Sequence, residues 1–123
     1  MRLVCDTLRR ERLVRTCYIA GEAGDLEVVH AYAPEIASAC LERQSDPQAQ
    51  ANIALRYGCR RIQFGRSVTN EAIEEAHREG LICNLFWSDD PADACGYVER
   101  GIDVVLTNCA NTLIAGGFAP AER

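Results

Sequence analysis

The residues of this sequence best suited to chemistry stand at the ends of short apolar runs: Glu22, Glu42, Gln44, Arg66, Ser67, Ser88, Asp89, Asp90, Thr107 and Asn108. Carboxylates that converge at strand ends can hold a hard cation such as Mg²⁺ or Ca²⁺ through oxygen ligands. Asp and Asn just before a helix have a simpler use as N-caps, and capping accounts for Asp90 and Asn108 without any metal. Trp87 closes an apolar run and suits either the wall of a substrate cleft or a core. Cys109, one residue past Asn108, is a candidate thiol nucleophile, but it needs an activating neighbour and no histidine is expected beside it. His30 and His77 fall within helical stretches, away from the strand ends where a parallel α/β fold does its chemistry, so a structural role is expected for each.

The seven cysteines, at positions 5, 17, 40, 59, 83, 95 and 109, include no Cys-x-x-Cys pair. That removes the strongest zinc and thioredoxin signals. Their number is odd, which does not suit a closed disulfide framework, and Cys17, Cys40 and Cys83 sit in apolar runs as small hydrophobes. Reduced core cysteines are expected, as in a cytoplasmic protein. The net charge of −5 argues against a nucleic-acid partner. Arg2, Arg9, Arg10, Arg12 and Arg15 could meet a phosphate, but with Glu11 among them they read better as a solvated helix face. No apolar run is long enough to span a bilayer, and the stretch after Met1 is too short for a signal peptide.

The elements that must position these residues repeat. Gly58, Gly80 and Gly101 are separated by 22 and 21 residues, and each follows a helical stretch and precedes an apolar strand. Glycine just past a helix supplies the left-handed backbone that closes it, and a period this short is one strand plus one helix. The strands are predicted at 16–20, 36–41, 61–64, 82–87 and 103–107. Helices are predicted at 6–14, from an Asp25 cap to Ala33, from Asp46-Pro47 to about Tyr57, after Thr69, after Asp90-Pro91, and at 111–115. Thr69 and Asp90 are N-caps and Pro91 takes the first helical position. In the helix after Thr69, Ala72, Ile73, Ala76 and His77 lie near one face and Glu74 is spaced to pair with Arg78. Ala94, Cys95 and Val98 form the expected apolar stripe of the next. Such alternation predicts an α/β fold with five parallel strands joined by right-handed crossovers.

One stretch is more specific. Thr69-Asn70-Glu71-Ala72-Ile73-Glu74-Glu75-Ala76-His77-Arg78-Glu79-Gly80-Leu81 resembles the late helix of the glycerophosphodiester phosphodiesterase family. That helix leads into a strand ending in Trp-Thr-Val-Asn, where this chain has Trp87-Ser88-Asp89-Asp90. A Gly-Val-Asp step and a final strand ending in Thr-Asp follow, matched here by Gly101-Ile102-Asp103 and Thr107-Asn108. Order and spacing agree over residues 52–118, and residues 1–51 fit the preceding units loosely.

The resemblance implies part of an eight-stranded barrel of about 250 residues, with residues 1–123 as one domain beginning at the helix before the fourth strand. It implies a metal-dependent hydrolysis of glycerophosphodiesters to glycerol 3-phosphate and an alcohol, within lipid metabolism. The family's His-Arg and Glu-x-Asp pairs and its further His and Glu precede the region matched. This chain has no His-Arg-Gly, no Glu-x-Asp and two histidines in all. Catalytic residues and metal ligands are therefore expected to be absent, Mg²⁺ or Ca²⁺ is implied for the intact barrel alone, and Trp87 is the one substrate contact the resemblance supplies. The resemblance also implies a phosphodiester small molecule as ligand. A half-barrel with open edges also predicts a homodimer, serving as a scaffold or small-ligand module.

Overall fold

The computed structural model describes residues 1–118; residues 119–123, the end of the expected 1–123 domain, lie outside the described part. Five strands alternate with six helices: α1 (Arg2–Arg10), β1 (Ile19–Gly21), α2 (Ala23–Tyr32), β2 (Ser38–Cys40), α3 (Pro47–Arg56), β3 (Arg61–Gly65), α4 (Asn70–Arg78), β4 (Ile82–Phe86), α5 (Pro91–Glu99), β5 (Val104–Val105) and α6 (Ala110–Ala115). The sheet runs β1-β2-β3-β4-β5 in chain order, and every pair is parallel. The predicted fold class is the observed one. Gly58, Gly80 and Gly101 take positive φ angles of 64°, 78° and 104°, as their place beyond three helices requires.

Several boundaries differ from the sequence reading. The leading helix spans residues 2–10 rather than 6–14, because Cys5 is the residue that faces Val29, Ala33, Ile36 and Ile19 in a small second core. Residues 13–17 then form turns, with the Cys17 amide donating to the Leu13 carbonyl at 3.0 Å, so the first strand starts at Ile19 and not at 16. Asp25 is not a cap. Glu22 occupies the N-cap position of α2, and Asp25 sits in the first turn, where a negative charge suits the helix dipole. Gly21 permits this, since a Cβ there would lie 2.9 Å from that of Asp25. In α4, His77 lies in the last turn and is exposed, and Arg78 pairs with Glu75 instead of Glu74. In α5, Val98 is exposed and Tyr97 takes the buried place, because its hydroxyl reaches inward to the Arg66 carbonyl at 2.6 Å.

One face of the sheet carries the core. Register and burial put Cys40, Ile62, Phe64, Cys83 and Leu85 on the side where Leu26, Ala51, Ala54, Ile73, Ala76 and Tyr97 arrive from the helices. Alternation along the strands puts Ala20, Ala39, Arg61, Gln63, Asn84 and Val104 on the opposite side. This face, which would line the interior of a barrel, carries a polar cluster. The Arg61 guanidinium lies 4.8 Å from the centre of the Tyr18 ring and donates to the Asn84 side-chain oxygen at 3.4 Å. The Asn84 amide donates in turn to the Tyr18 hydroxyl, also at 3.4 Å. A flat guanidinium over an aromatic ring keeps its charge while covering apolar surface, which is how Asn84 becomes fully buried on a face without helices.

Gln50 ties the helical layer to the sheet. From α3 its side-chain amide donates to the Cys40 carbonyl at 3.1 Å and the Gln63 carbonyl at 2.8 Å, while its own oxygen is fully buried without a donor among the described residues. Two facing carbonyls fix which end of the amide points inward. Gln50→Glu replaces both donors with a buried, uncompensated carboxylate, and a loss of about 3–5 kcal/mol is expected at neutral pH, read by urea denaturation. An unchanged midpoint would mean that these two bonds do not hold α3 to the sheet.

Candidate functional site

In parallel α/β folds the reactive end is the one at the strand C-termini, where loops lead into the next helix. Here the loops after β3, β4 and β5 meet. Phe86, Trp87, Val105, Leu106, Thr107 and Asn108 line an open cleft of about 450 Å³. Trp87 is 41% exposed and Phe86 48%, so both are accessible aromatic surface, not core. The backbone around Trp87 is well anchored: its carbonyl accepts from Arg66 at 2.9 Å, and the Ser88 amide donates to the Leu106 carbonyl at 3.0 Å.

Two bonded groups flank the cleft. In the first, both terminal nitrogens of Arg66 donate to the two oxygens of Asp93, at 2.9 and 3.0 Å, and the Ser88 hydroxyl donates to Asp93 at 2.5 Å. Arg66 first, and Ser88 after it, hold the Asp93 carboxyl below the usual carboxylate range. In the second, Asp89 accepts from the Thr107 hydroxyl at 2.8 Å and the Asn108 amide at 2.7 Å. Burial works to raise the Asp89 carboxyl, but the donors from Asn108 and Thr107 outweigh it and leave it lowered. Asn108 is therefore a donor to Asp89 and not a helix cap; Cys109 holds the N-cap position of α6, with its amide donating to the Thr107 oxygen at 3.0 Å. Asp90 does cap α5, accepting from the Asp93 amide at 2.8 Å.

The remaining strand-end residues are spread around the same rim. Glu42 accepts from the Ala23 amide at 2.9 Å and Gln44 donates to the Gln63 carbonyl at 3.0 Å, while Glu22 and Ser67 are exposed. Neither histidine joins them. The His30 ring meets Tyr57 edge-on at 6.5 Å, and His77 lies at the opposite end of the sheet, 3.0 Å from Asp103. Cys109 is exposed, with no histidine in its group. Burial pushes the Cys40 thiol up to about 11 and Cys83 up to about 12, so these are protonated core thiols. Cys17 and Cys95 are half-buried, Cys5 and Cys59 are buried, and all seven cysteines are free. The early arginines are surface groups: Arg9 pairs with Glu35 at 2.7 Å and Arg10 with Glu11 at 2.8 Å.

Sequence reasoning missed that Arg66 and Asp93 form one unit. The signal was faint, an arginine just past one strand and an acid three residues after the cap of a later helix.

No protein-family model matches the chain, and no curated protein does. Among solved structures it is similar to the crystal structure of a "Putative glycerophosphoryl diester phosphodiesterase" from Silicibacter pomeroyi DSS-3, with a TM-score of 0.73 at 21% identity. The likeness covers 93% of this chain and 43% of that one, so the chain spans less than half of its neighbour. The five parallel units thus match part of a barrel, the fold implied by the sequence resemblance.

The lowered carboxylates give this rim an acid sensitivity. A depressed aspartate stabilises the fold fully above its unfolded value, ordinarily 3.8, and the contribution is lost as pH falls through the lower folded value. The stability advantage of the wild type over Asp93→Asn, and over Asp89→Asn, should be complete near neutrality and shrink below that value. Denaturation midpoints across acidic pH check it; a constant difference would show that these ion pairs and hydrogen bonds do not act through the charge.

Proposed function

We propose that residues 1–123 act as the C-terminal half of a glycerophosphodiester phosphodiesterase-type barrel, supplying framework and a cleft wall but not the reacting groups. The observation that carries this reading is the structural match over nearly the whole of this chain and less than half of its neighbour. In the complete barrel the reaction is hydrolysis of a phosphodiester to glycerol 3-phosphate and an alcohol, with a Mg²⁺ or Ca²⁺ ion stabilising charge on the phosphoryl oxygens. Trp87 then packs against the substrate from the cleft side. A cytoplasmic setting fits the reduced cysteines, and among the described residues no helix is long and apolar enough to cross a membrane.

The strand-end carboxylates of this chain do not fit such an ion. Asp89 and Asp93 spend their oxygens on Thr107, Asn108, Arg66 and Ser88, Asp90 caps α5, and Glu42 accepts from a backbone amide. A metal there would have to displace fixed donors, including a two-pronged arginine. His30 and His77 are both away from the cleft, so no histidine is placed there to transfer a proton. The isolated chain should therefore release no glycerol 3-phosphate from glycerophosphodiesters with Mg²⁺ or Ca²⁺ supplied. Chelator-sensitive turnover above background would overturn the assignment of the chemistry to another segment.

A second reading, a homodimeric scaffold, draws on the edges. β1 and β5 end the sheet, and Leu3, Val4 and Tyr18 near one edge and Phe86, Trp87 and Ile114 near the other are exposed. Unpaired edges and apolar patches are what a second copy would cover. Sedimentation at about micromolar concentration should then give a dimer; a stable monomer would favour the Tyr18–Arg61–Asn84 cluster as sufficient filling for the open face.

A further inference from the structure

We propose that His77, Cys83 and Asp103 form a binding site for one Zn²⁺ ion at the N-terminal ends of β4 and β5, the opposite end of the sheet from the cleft. One ligand atom from each residue lies within 4.8 Å of the other two. The three come from different elements: His77 from the last turn of α4, Cys83 from β4, and Asp103 from the residue before β5. Zinc bond lengths of about 2.0–2.3 Å place tetrahedral ligand atoms roughly 3.3–3.6 Å apart, so small side-chain rotations close the site.

The donor set selects the metal. One sulfur, one imidazole nitrogen and one carboxylate oxygen suit Zn²⁺ and disfavour Mg²⁺ or Ca²⁺, which take oxygen. In the metal-free protein His77 Nε2 lies 3.0 Å from Asp103 Oδ2; the ion replaces this single contact, whereas at Asp93 it would have to displace a two-pronged arginine. The Cys83 amide donates to an oxygen of Asp103 at 2.8 Å, and the Asp103 amide donates back to the Cys83 carbonyl at 2.9 Å, so carboxylate and thiol are held in register. Gly101, at a φ of 104°, turns the chain beside the imidazole, within van der Waals reach of the His77 ring. Thiolate and carboxylate together balance the two charges of the ion. The His77 and Asp103 side chains are 39% and 27% exposed and Cys83 is fully buried behind them, so the ion meets the imidazole and the carboxylate first.

Binding must release a proton. Cys83–SH plus Zn²⁺ gives the Cys83 thiolate–zinc bond and H⁺ to solvent, while neutral His77 coordinates through Nε2. Because the metal displaces this proton, binding is tighter at higher pH. The bound ion ties α4, β4 and the short edge strand β5 together, so metal binding stabilises the fold.

The test uses chelator-stripped, reduced full-length protein titrated with ZnCl₂ against a chromophoric chelator, and with Co²⁺ followed by absorption. One equivalent should bind, with a thiolate-to-cobalt charge-transfer band, tighter binding at higher pH and a raised Tm. Outer-shell partners alone are worth about 10–100-fold in affinity, so losing a ligand in His77→Gln should weaken binding by at least about tenfold. Cys83→Ala should remove the charge-transfer band. His77 is exposed, so its variant keeps the fold and the test stands if Cys83→Ala does not. Absence of the band in the wild type, or zinc binding unchanged in His77→Gln, overturns the site.

Discussion

Two parallel strands can be joined only by a crossover, and here each crossover carries a helix back over the same face of the sheet. That constraint distributes the residues. Apolar side chains of β2, β3 and β4 must face the helices, and the alternate ones face the other way whatever their chemistry. All strand C-termini come to one end, so loop residues 18 to 27 apart in sequence meet as neighbours. The N-termini gather at the other end, where His77, Cys83 and Asp103 approach one another though they span 26 residues.

The face away from the helices shows how much this constraint leaves to individual residues. A closed barrel fills its interior with layers of apolar side chains from alternate strands. In this chain the corresponding positions hold Arg61, Gln63 and Asn84. Burying Asn84 without partners would cost more than a hydrogen bond contributes, so Tyr18 and Arg61 are needed both as cover and as partners. The bonds, at 3.4 Å, are long, and the contribution is mainly the removal of an unsatisfied amide from an apolar setting. Tyr18 comes from the segment before β1, which therefore crosses from the helical layer to the open face within a few residues.

The repeated unit was legible because it rests on backbone requirements: glycine with positive φ after a helix, an acid or hydroxyl before one, and proline at the first helical position. Thr69, Asp90 and Asp46 cap as their types require, each accepting a backbone amide three residues on. The misreadings have one origin. Asp25 and Asn108 have capping chemistry but stand beside other demands, the approach of Gly21 in one case and the carboxylate of Asp89 in the other. Local propensity cannot weigh a partner that arrives from another element. Val98 against Tyr97 is the same failure on a helix face: an apolar stripe predicts Val98, but the phenol hydroxyl finds the Arg66 carbonyl and the helix settles one residue round. The candidate site was legible as a set of strand-end residues and Trp87, and illegible as a bonded network, because Arg66 and Asp93 are 27 residues apart.

The strand C-terminal end therefore has polar residues of the right types for catalysis arranged in a way that spends them. A catalytic carboxylate must be available to a ligand, whereas Asp93 meets a guanidinium on both oxygens and Asp89 meets donors from the loop after β5. Such bonds fix loop geometry, and their product is a stationary backbone at Trp87 with its ring, and that of Phe86, left exposed. Exposed aromatic surface at the mouth of an α/β sheet offers apolar contact area and no titrating group. The division of labour follows from where the bonding capacity goes: Arg66, Asp93, Asp89 and Thr107 are committed to holding the rim still, and the aromatic rings between them are left to face the cleft.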